Sequence, residues 1–369
     1  MVGYGRDVLP GAIRERRIDN GNGLEMHMLE AGVAGWPALL LLHGFPELAY
    51  SWRKIMPALA DAGYHVIAPD QRGYGLTTGA DARYDCDLAE FRMINLVRDA
   101  MGLLEALGLE SVHGVIGHDF GSYVAAHCAL IRPDIFHRAA MMSAPFGGPP
   151  KLNANPAPDI DAALGKLKPA RKHYQRYYAT SPANADMWRC PQGVHDFLRA
   201  YFHVKSADWA PNAPFALAGW SAEELGKMPG YYVMEADKTM AETVAPEMPT
   251  AAEIAANAWL PDEELRVYSQ TYERDGFQGG LNWYRCRFVE AFQRESQLFA
   301  GRAIDVPSVF VAGASDWGTY QVPGAVEAMD GTSCTDFRGR HLIEGAGHWV
   351  QQERPEHVTR ILLDFLGDN

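Results

Sequence analysis

Two carboxylates and one imidazole lie along this chain in an order that permits chemistry: Asp119, Asp316 and His348. Asp119 is the centre of GHDFG (Gly117–Gly121), which follows the apolar run VHGVI and precedes AAHCAL. A G-x-nucleophile-x-G run between a strand and a helix is a nucleophile elbow, which holds its central side chain up at the end of a sheet. The small residues Gly117 and Gly121 permit the tight turn and the close approach of helix to strand. Asp316 ends VPSVFVAGASD, and His348 lies in EGAGHWVQQERPE, each just past an apolar run. The order nucleophile, acid, histidine is that of an elbow-type triad.

A carboxylate at the elbow restricts the reaction. A serine that attacked a tetrahedral carbon would leave an ether, which water does not readily cleave. A carboxylate attacking the same carbon leaves an ester. His348 can then activate water against that ester's carbonyl, with Asp316 orienting the ring and supporting its charge. The expected oxyanion donors are the backbone N–H of Phe120 and, from HGFPE (His43–Glu47), that of Phe45. Displacement at an sp³ carbon follows: opening an epoxide or expelling a halide.

Short apolar runs ended by turn residues must position these groups. They are ALLLLHG (38–44), HVIAPD (65–70), VHGVIGHD (112–119), AAMMSAP (139–145), VPSVFVAGASD (306–316) and HLIEGAGH (341–348). Such runs predict strands of a parallel sheet buried on both faces. Residues 13–30 alternate around DNGNG and predict an antiparallel hairpin. NLVRDAMGLLEALG (95–108) and PEHVTRILLDFL (355–366) predict amphipathic helices. Strand and helix alternate, so the fold class is α/β, a mostly parallel, doubly wound sheet. The rhythm breaks between about Phe146 and Leu298, which predicts a mostly helical cap inserted into a core made of residues 1–145 and 299–369. Within the cap, residues 221–264 carry ten Asp/Glu against two Lys. That excess predicts an exposed acidic segment that narrows an entrance, pairs subunits or lengthens the cap.

The 369 residues carry a formal net charge of −13, which argues against nucleic acid and anionic membranes as partners. No apolar run approaches the about 20 residues that span a bilayer, and the N-terminus has no apolar core of a signal peptide. Five scattered cysteines without a CxxC read as reduced thiols in a cytoplasmic protein. The histidines show no paired ligand spacing, so neither a metal nor a cofactor is expected. Glu47, Asp70, His43 and His118 are expected to hold loops through hydrogen bonds rather than carry protons.

With these residues in view, the chain resembles the α/β-hydrolase superfamily and, more narrowly, its soluble-type epoxide hydrolases with an aspartate nucleophile. HGFPELAYSWRK (43–54), DQRGYGLT (70–77), GHDFGS (117–122), GFQGGLNWYR (276–285) and GAGHWVQQERP (345–355) carry the resemblance. It implies hydrolysis of a small, apolar epoxide to a vicinal diol without a cofactor, through an alkyl-enzyme ester on Asp119. It also implies two cap tyrosines that protonate the epoxide oxygen. Tyr284 in LNWYR is one. Tyr174 in HYQRYYAT is the other, with Tyr177 and Tyr178 as alternatives.

A haloalkane or haloacid dehalogenase would use the same triad. Haloalkane dehalogenases typically cradle halide with a Trp after the nucleophile and an Asn in the oxyanion loop, where this chain has Phe120 and Phe45. Fluoroacetate dehalogenases place arginines after the nucleophile, where this chain has Phe120, Ser122 and Tyr123. Trp188, Trp209 and Trp220 remain as cap donors to a halide. A non-catalytic, ligand-binding member of the superfamily is a third reading, against which the intact triad counts.

Overall fold

The computed structural model describes residues 3–5, 7–152 and 159–367; positions 153–158 of the expected cap, and positions 1–2, 6 and 368–369 of the expected core, lie outside the described residues. The chain opens with the hairpin β1 (Arg14–Asp19) and β2 (Glu25–Ala31), paired antiparallel across the Asn20–Gly23 turn. The apolar runs become β3 (Ala38–Leu42), β4 (His65–Pro69), β5 (Gly114–His118) and β6 (Ala139–Met142), every residue of them buried. After β6 come β7 (Arg171–His173) and β8 (Val233–Glu235), then β9 (Ser308–Gly313) and β10 (Phe337–Ile343).

Eight strands form one sheet in the order β1-β2-β4-β3-β5-β6-β9-β10, antiparallel only at β1–β2 and β2–β4. This is the mostly parallel α/β sheet that the alternating pattern predicts, in the arrangement that the resemblance to α/β-hydrolases implies. Strands without polar faces are stable here because helices cover both sides. β10 differs from the expectation. It begins four residues before His341, and its burial alternates, because it is an edge strand with one face open.

The helix Met93–Ala106 starts two residues earlier than its apolar spacing suggests, and Gly108 takes a left-handed φ of 72° just past its end. Between β6 and β9 the described chain is mainly helical, including Gly193–Lys205, Asp262–Asp275 and Gln278–Cys286. The sequence pattern did not reveal that β7 and β8 pair antiparallel within it, since three-residue strands are too short to set a period. The acidic segment has local structural uses. Glu242 and Glu253 close capping boxes with Thr239 and Thr250. Asp262 pairs with the buried Arg199, and Glu264 pairs with the buried Arg53 of the core.

The five cysteines are free thiols, and no described helix is long and apolar enough to cross a membrane. Backbone packs closely under the elbow. A Cβ added to Gly121 would stand 2.1 Å from the Leu42 carbonyl oxygen, and one added to Gly117 would stand 2.0 Å from the Gly121 carbonyl oxygen. Backbone cannot yield as a side chain does, so Gly121→Ala is expected to cost about 3 kcal/mol or to prevent folding. Urea unfolding of the variant beside the parent protein measures this, and an unchanged midpoint would contradict it.

Candidate active site

Asp119 follows β5 and precedes the helix Phe120–Ile131, with φ 53° and ψ −120°. A non-glycine residue in that region costs about 1–3 kcal/mol and persists only where its surroundings enforce it. Here the Asp119 N–H donates to the Met142 carbonyl (3.1 Å), and its own carbonyl accepts from Ser122 N–H (3.1 Å). Gly44 leaves room for the side chain, since a Cβ there would lie 2.4 Å from Asp119 Cβ. The Phe45 N–H donates to Asp119 Oδ1 at 3.0 Å. Phe120 is the first residue of its helix, so its N–H has no carbonyl one turn back to receive it.

The sheet order brings the other groups to the same edge. β5, β6, β9 and β10 are consecutive neighbours, and Asp119, Asp316 and His348 follow three of them. His348 Nδ1 lies 3.1 Å from Asp316 Oδ1, which also accepts the Gly318 N–H at 2.7 Å. His348 Nε2 lies 3.4 Å from Asp119 Oδ2, within ion-pair range but without the alignment of a hydrogen bond. All three residues are buried.

Charge follows from this enclosure. Burial opposes the Asp119 carboxylate, but His348, then Lys205 and His118, hold it well below the usual carboxylate range. Burial likewise opposes the imidazolium, and Lys205 adds to that. Asp316 and Asp119 outweigh both, and His348 is pushed up to about 9.

Tyr284 packs its ring edge-on to Phe45 (5.6 Å between centroids), whose amide bonds Asp119, and to Phe120 (5.2 Å), which follows Asp119 in the chain. Burial and the Asp119 charge raise both Tyr284 and Tyr174 well above their ordinary value, so both hydroxyls keep their protons. Tyr174 lies 6.0 Å from Tyr284 between ring centroids; its hydroxyl donates to Gln321 Oε1 (3.1 Å) and accepts from Gln175 Nε2 (3.0 Å). Tyr177 instead donates to Asp186, and Tyr178 to the Tyr201 hydroxyl. A separate cavity of about 300 Å³ on the far side of Phe120 is walled by Phe120, Tyr123, Phe146 and Trp283, with Arg287 at its side; Asp119, His348, Tyr284 and Tyr174 do not line it. Of the cap tryptophans, Trp188 donates to the Glu273 carbonyl and Trp209 to Glu247 Oε2, while the Trp220 ring lies tilted against His173.

A buttress lies beneath the triad. Glu47 accepts from Gly44 N–H (3.0 Å) and Gln351 Nε2 (2.8 Å) and meets His118 Nδ1 at 2.5 Å. His118 Nε2 reaches the His348 carbonyl at 2.7 Å, and Ser143, itself at φ 65°, donates to the same oxygen. His43 bonds Gly44 and Gln71, and Asp70 accepts from Ala49, Leu76 and Tyr4. Sequence reasoning missed Glu353. Its carboxylate accepts the N–H groups of Gly347 (2.9 Å), Trp349 (3.0 Å) and Ala207 (2.8 Å), which fixes the backbone on both sides of His348. Its place on the turn after His348 was the available signal. Among the described residues no cluster of His, Cys, Asp and Glu has the arrangement of a metal site.

The His348 pKa has a thermodynamic consequence. A basic group raised from 6.5 to about 9 on folding stabilises the native state fully below pH 6.5 and loses that contribution as pH rises through 9. The unfolding free energy of the parent protein relative to His348→Gln should therefore fall by on the order of 2–3 kcal/mol between pH 6.5 and 9.5. Parallel slopes of the two proteins in chemical denaturation would refute the ion pair as described.

The family of the alpha/beta hydrolase fold matches residues 37–214. The chain is 35% identical to epoxide hydrolase A of Mycobacterium tuberculosis over 366 residues, covering 96% of this chain and 98% of that one. It is 32% identical to epoxide hydrolase B of the same organism, covering 90% and 91%. Among solved structures, an epoxide hydrolase from an endophytic Streptomyces superposes with a TM-score of 0.79 at 31% identity, covering 97% and 96%. Epoxide hydrolase A from Mycobacterium thermoresistibile does so with a TM-score of 0.76 at 34% identity, covering 96% and 98%.

Proposed function

The chain belongs to the epoxide hydrolases of the α/β-hydrolase fold, and on that premise we propose that Asp119, His348, Asp316, Tyr284 and Tyr174 carry its reaction. The enzyme hydrolyses an epoxide to a vicinal diol. Asp119 attacks one ring carbon while Tyr284 and Tyr174 protonate the departing oxygen, and an alkyl ester forms on Asp119. His348, oriented by Asp316, then takes a proton from water, which attacks the ester carbonyl. The N–H groups of Phe45 and Phe120 receive the oxyanion, and the diol leaves as Asp119 is restored.

The observation that carries this reading is the ionised, buried Asp119 with the Phe45 amide on one oxygen and His348 at the other. The charge of Asp119 holds the tyrosyl protons in place before attack. Esterification removes that charge at the moment a phenolate must form, so the barrier to proton donation falls with the step that needs it. The Asp119 field, which is felt by Tyr174, supports Tyr174 as the second donor. The rings of Phe45, Phe120, Tyr174 and Tyr284 packed about Asp119 support an apolar substrate. Two of the three candidate indoles of the dehalogenase alternative are bonded elsewhere, which counts against it.

Residues 146–298 act in this reading as the cap that delivers the tyrosines to a core of residues 1–145 and 299–369. The unpaired thiols support a reducing, cytoplasmic setting.

Diol formation from aryl and alkyl epoxides tests the assignment. Asp119→Ala should abolish it, and Tyr284→Phe should slow it by about 10²-fold or more. Halide release from haloalkanes without diol formation would instead support the dehalogenase, and ligand binding without turnover would support the non-catalytic reading.

A further inference from the structure

Lys205 ends the helix Gly193–Lys205, and no step of the reaction above uses its ammonium. The residue is 3% exposed. Its Nζ lies 4.9 Å from the ring centroid of Tyr232 and 5.1 Å from that of Tyr201. The rings of Tyr231, Tyr174 and Trp349 stand at 5.8, 5.9 and 5.9 Å. Among the described residues it has no hydrogen-bond or ion-pair partner. A buried ammonium without a carboxylate is costly, and aromatic faces offset only part of that cost. Two of these rings belong to the site: Tyr174 is a proton donor in the reading above, and Trp349 follows His348. The Lys205 carbonyl accepts the His348 N–H at 2.8 Å. One residue thus fixes the backbone of the base and sets a positive charge beside the triad, where both Asp119 and His348 feel it.

We propose that Lys205 is a positioning residue for ester hydrolysis: its ammonium drives His348 to its neutral form once Asp119 has been esterified. This rests on the reaction assigned above. In the free site two carboxylates, Asp119 and Asp316, face two cations, protonated His348 and Lys205. Alkylation turns Asp119 into a neutral ester, and a tyrosine becomes a phenolate by protonating the alkoxide. Asp316 alone then faces both cations, and His348 is the one that can release a proton. That proton makes up the phenol, and the neutral imidazole takes another from water. Hydroxide adds to the ester carbonyl, the tetrahedral intermediate expels the diol oxygen, and that oxygen takes the proton back from His348. The carboxylic acid left on Asp119 passes its proton to His348 and restores the ion pair. The other groups facing the ring are His118, 5.0 Å away between centroids, and beyond Asp316 the neutral Tyr231 and Tyr232. Glu353 engages the flanking amides.

The test is rapid mixing of epoxide with the parent enzyme and with Lys205→Met, following ester formation and ester hydrolysis from about pH 6 to 9.5. Methionine is unbranched and apolar and fits among the rings. The midpoint of the hydrolysis step should move up by about one pH unit. Hydrolysis at neutral pH should then slow about tenfold and the ester should accumulate, with alkylation little changed. Lys205→Arg, which keeps the charge, should retain the parent midpoint, and Lys205→Gln gives the same comparison if the methionine variant unfolds. An unmoved midpoint in the uncharged variants, or an equal loss in both steps, would overturn the proposal. Absence of diol from the parent enzyme would instead sink the assigned reaction. Parent-like kinetics in Lys205→Met would sink this inference alone.

Discussion

A carboxylate nearly cut off from water has to remain ionised, and much of this active site follows from that constraint. Transferring a carboxylate out of water is costly, and the usual outcome is protonation. Asp119 escapes it because an amide of the oxyanion loop, an imidazole and a lysine converge on it. The same field keeps the surrounding tyrosines protonated. Enclosure therefore sets the protonation states of the nucleophile and of the acids together. Water would blunt both effects, which is why aromatic side chains crowd a site whose second step consumes water.

Holding this arrangement takes more residues than performing it. His348 sits in a loop whose backbone is gripped through its N–H by Lys205 and through its carbonyl by His118 and Ser143. Glu353 holds the amides on either side. Glu47 joins that loop to the oxyanion loop through Gln351 and Gly44. The left-handed conformations of Asp119 and Ser143 persist because these bonds enforce them. None of the supporting side chains needs to meet the substrate, yet each fixes an atom that does.

Much of this was legible from residues alone. The elbow, the acid and the histidine announce themselves because local glycines and apolar runs give their position in the fold, and strand order does the rest. Tyr284 stood out through its motif, whereas nothing in HYQRYYAT separates Tyr174 from Tyr177 and Tyr178; their hydroxyls donate to Gln321, Asp186 and Tyr201 respectively. Lys205 and Glu353 were not legible. A lysine at a helix end and a glutamate at a helix start look like solvent-facing residues until tertiary packing buries them. The acidic segment's net charge did not give its local uses: Glu242 and Glu253, both exposed, cap helices, and Glu264 reaches Arg53 of the core. Composition reports the sum of such charges and not their pairing.

The anchoring of the His348 loop also bears on modularity. The inserted segment grips His348 through the Lys205 carbonyl and its neighbour Glu353 through the Ala207 amide, so what looks like an accessory covering is also the mounting of the histidine loop. Caps of this kind are not freely interchangeable parts. A graft that ended short of residue 207 would carry a new pocket onto an old core and leave the histidine without its fastening. Divergence of substrate range in such a scaffold is therefore channelled into the walls of the insertion, while its joint with the histidine loop stays fixed.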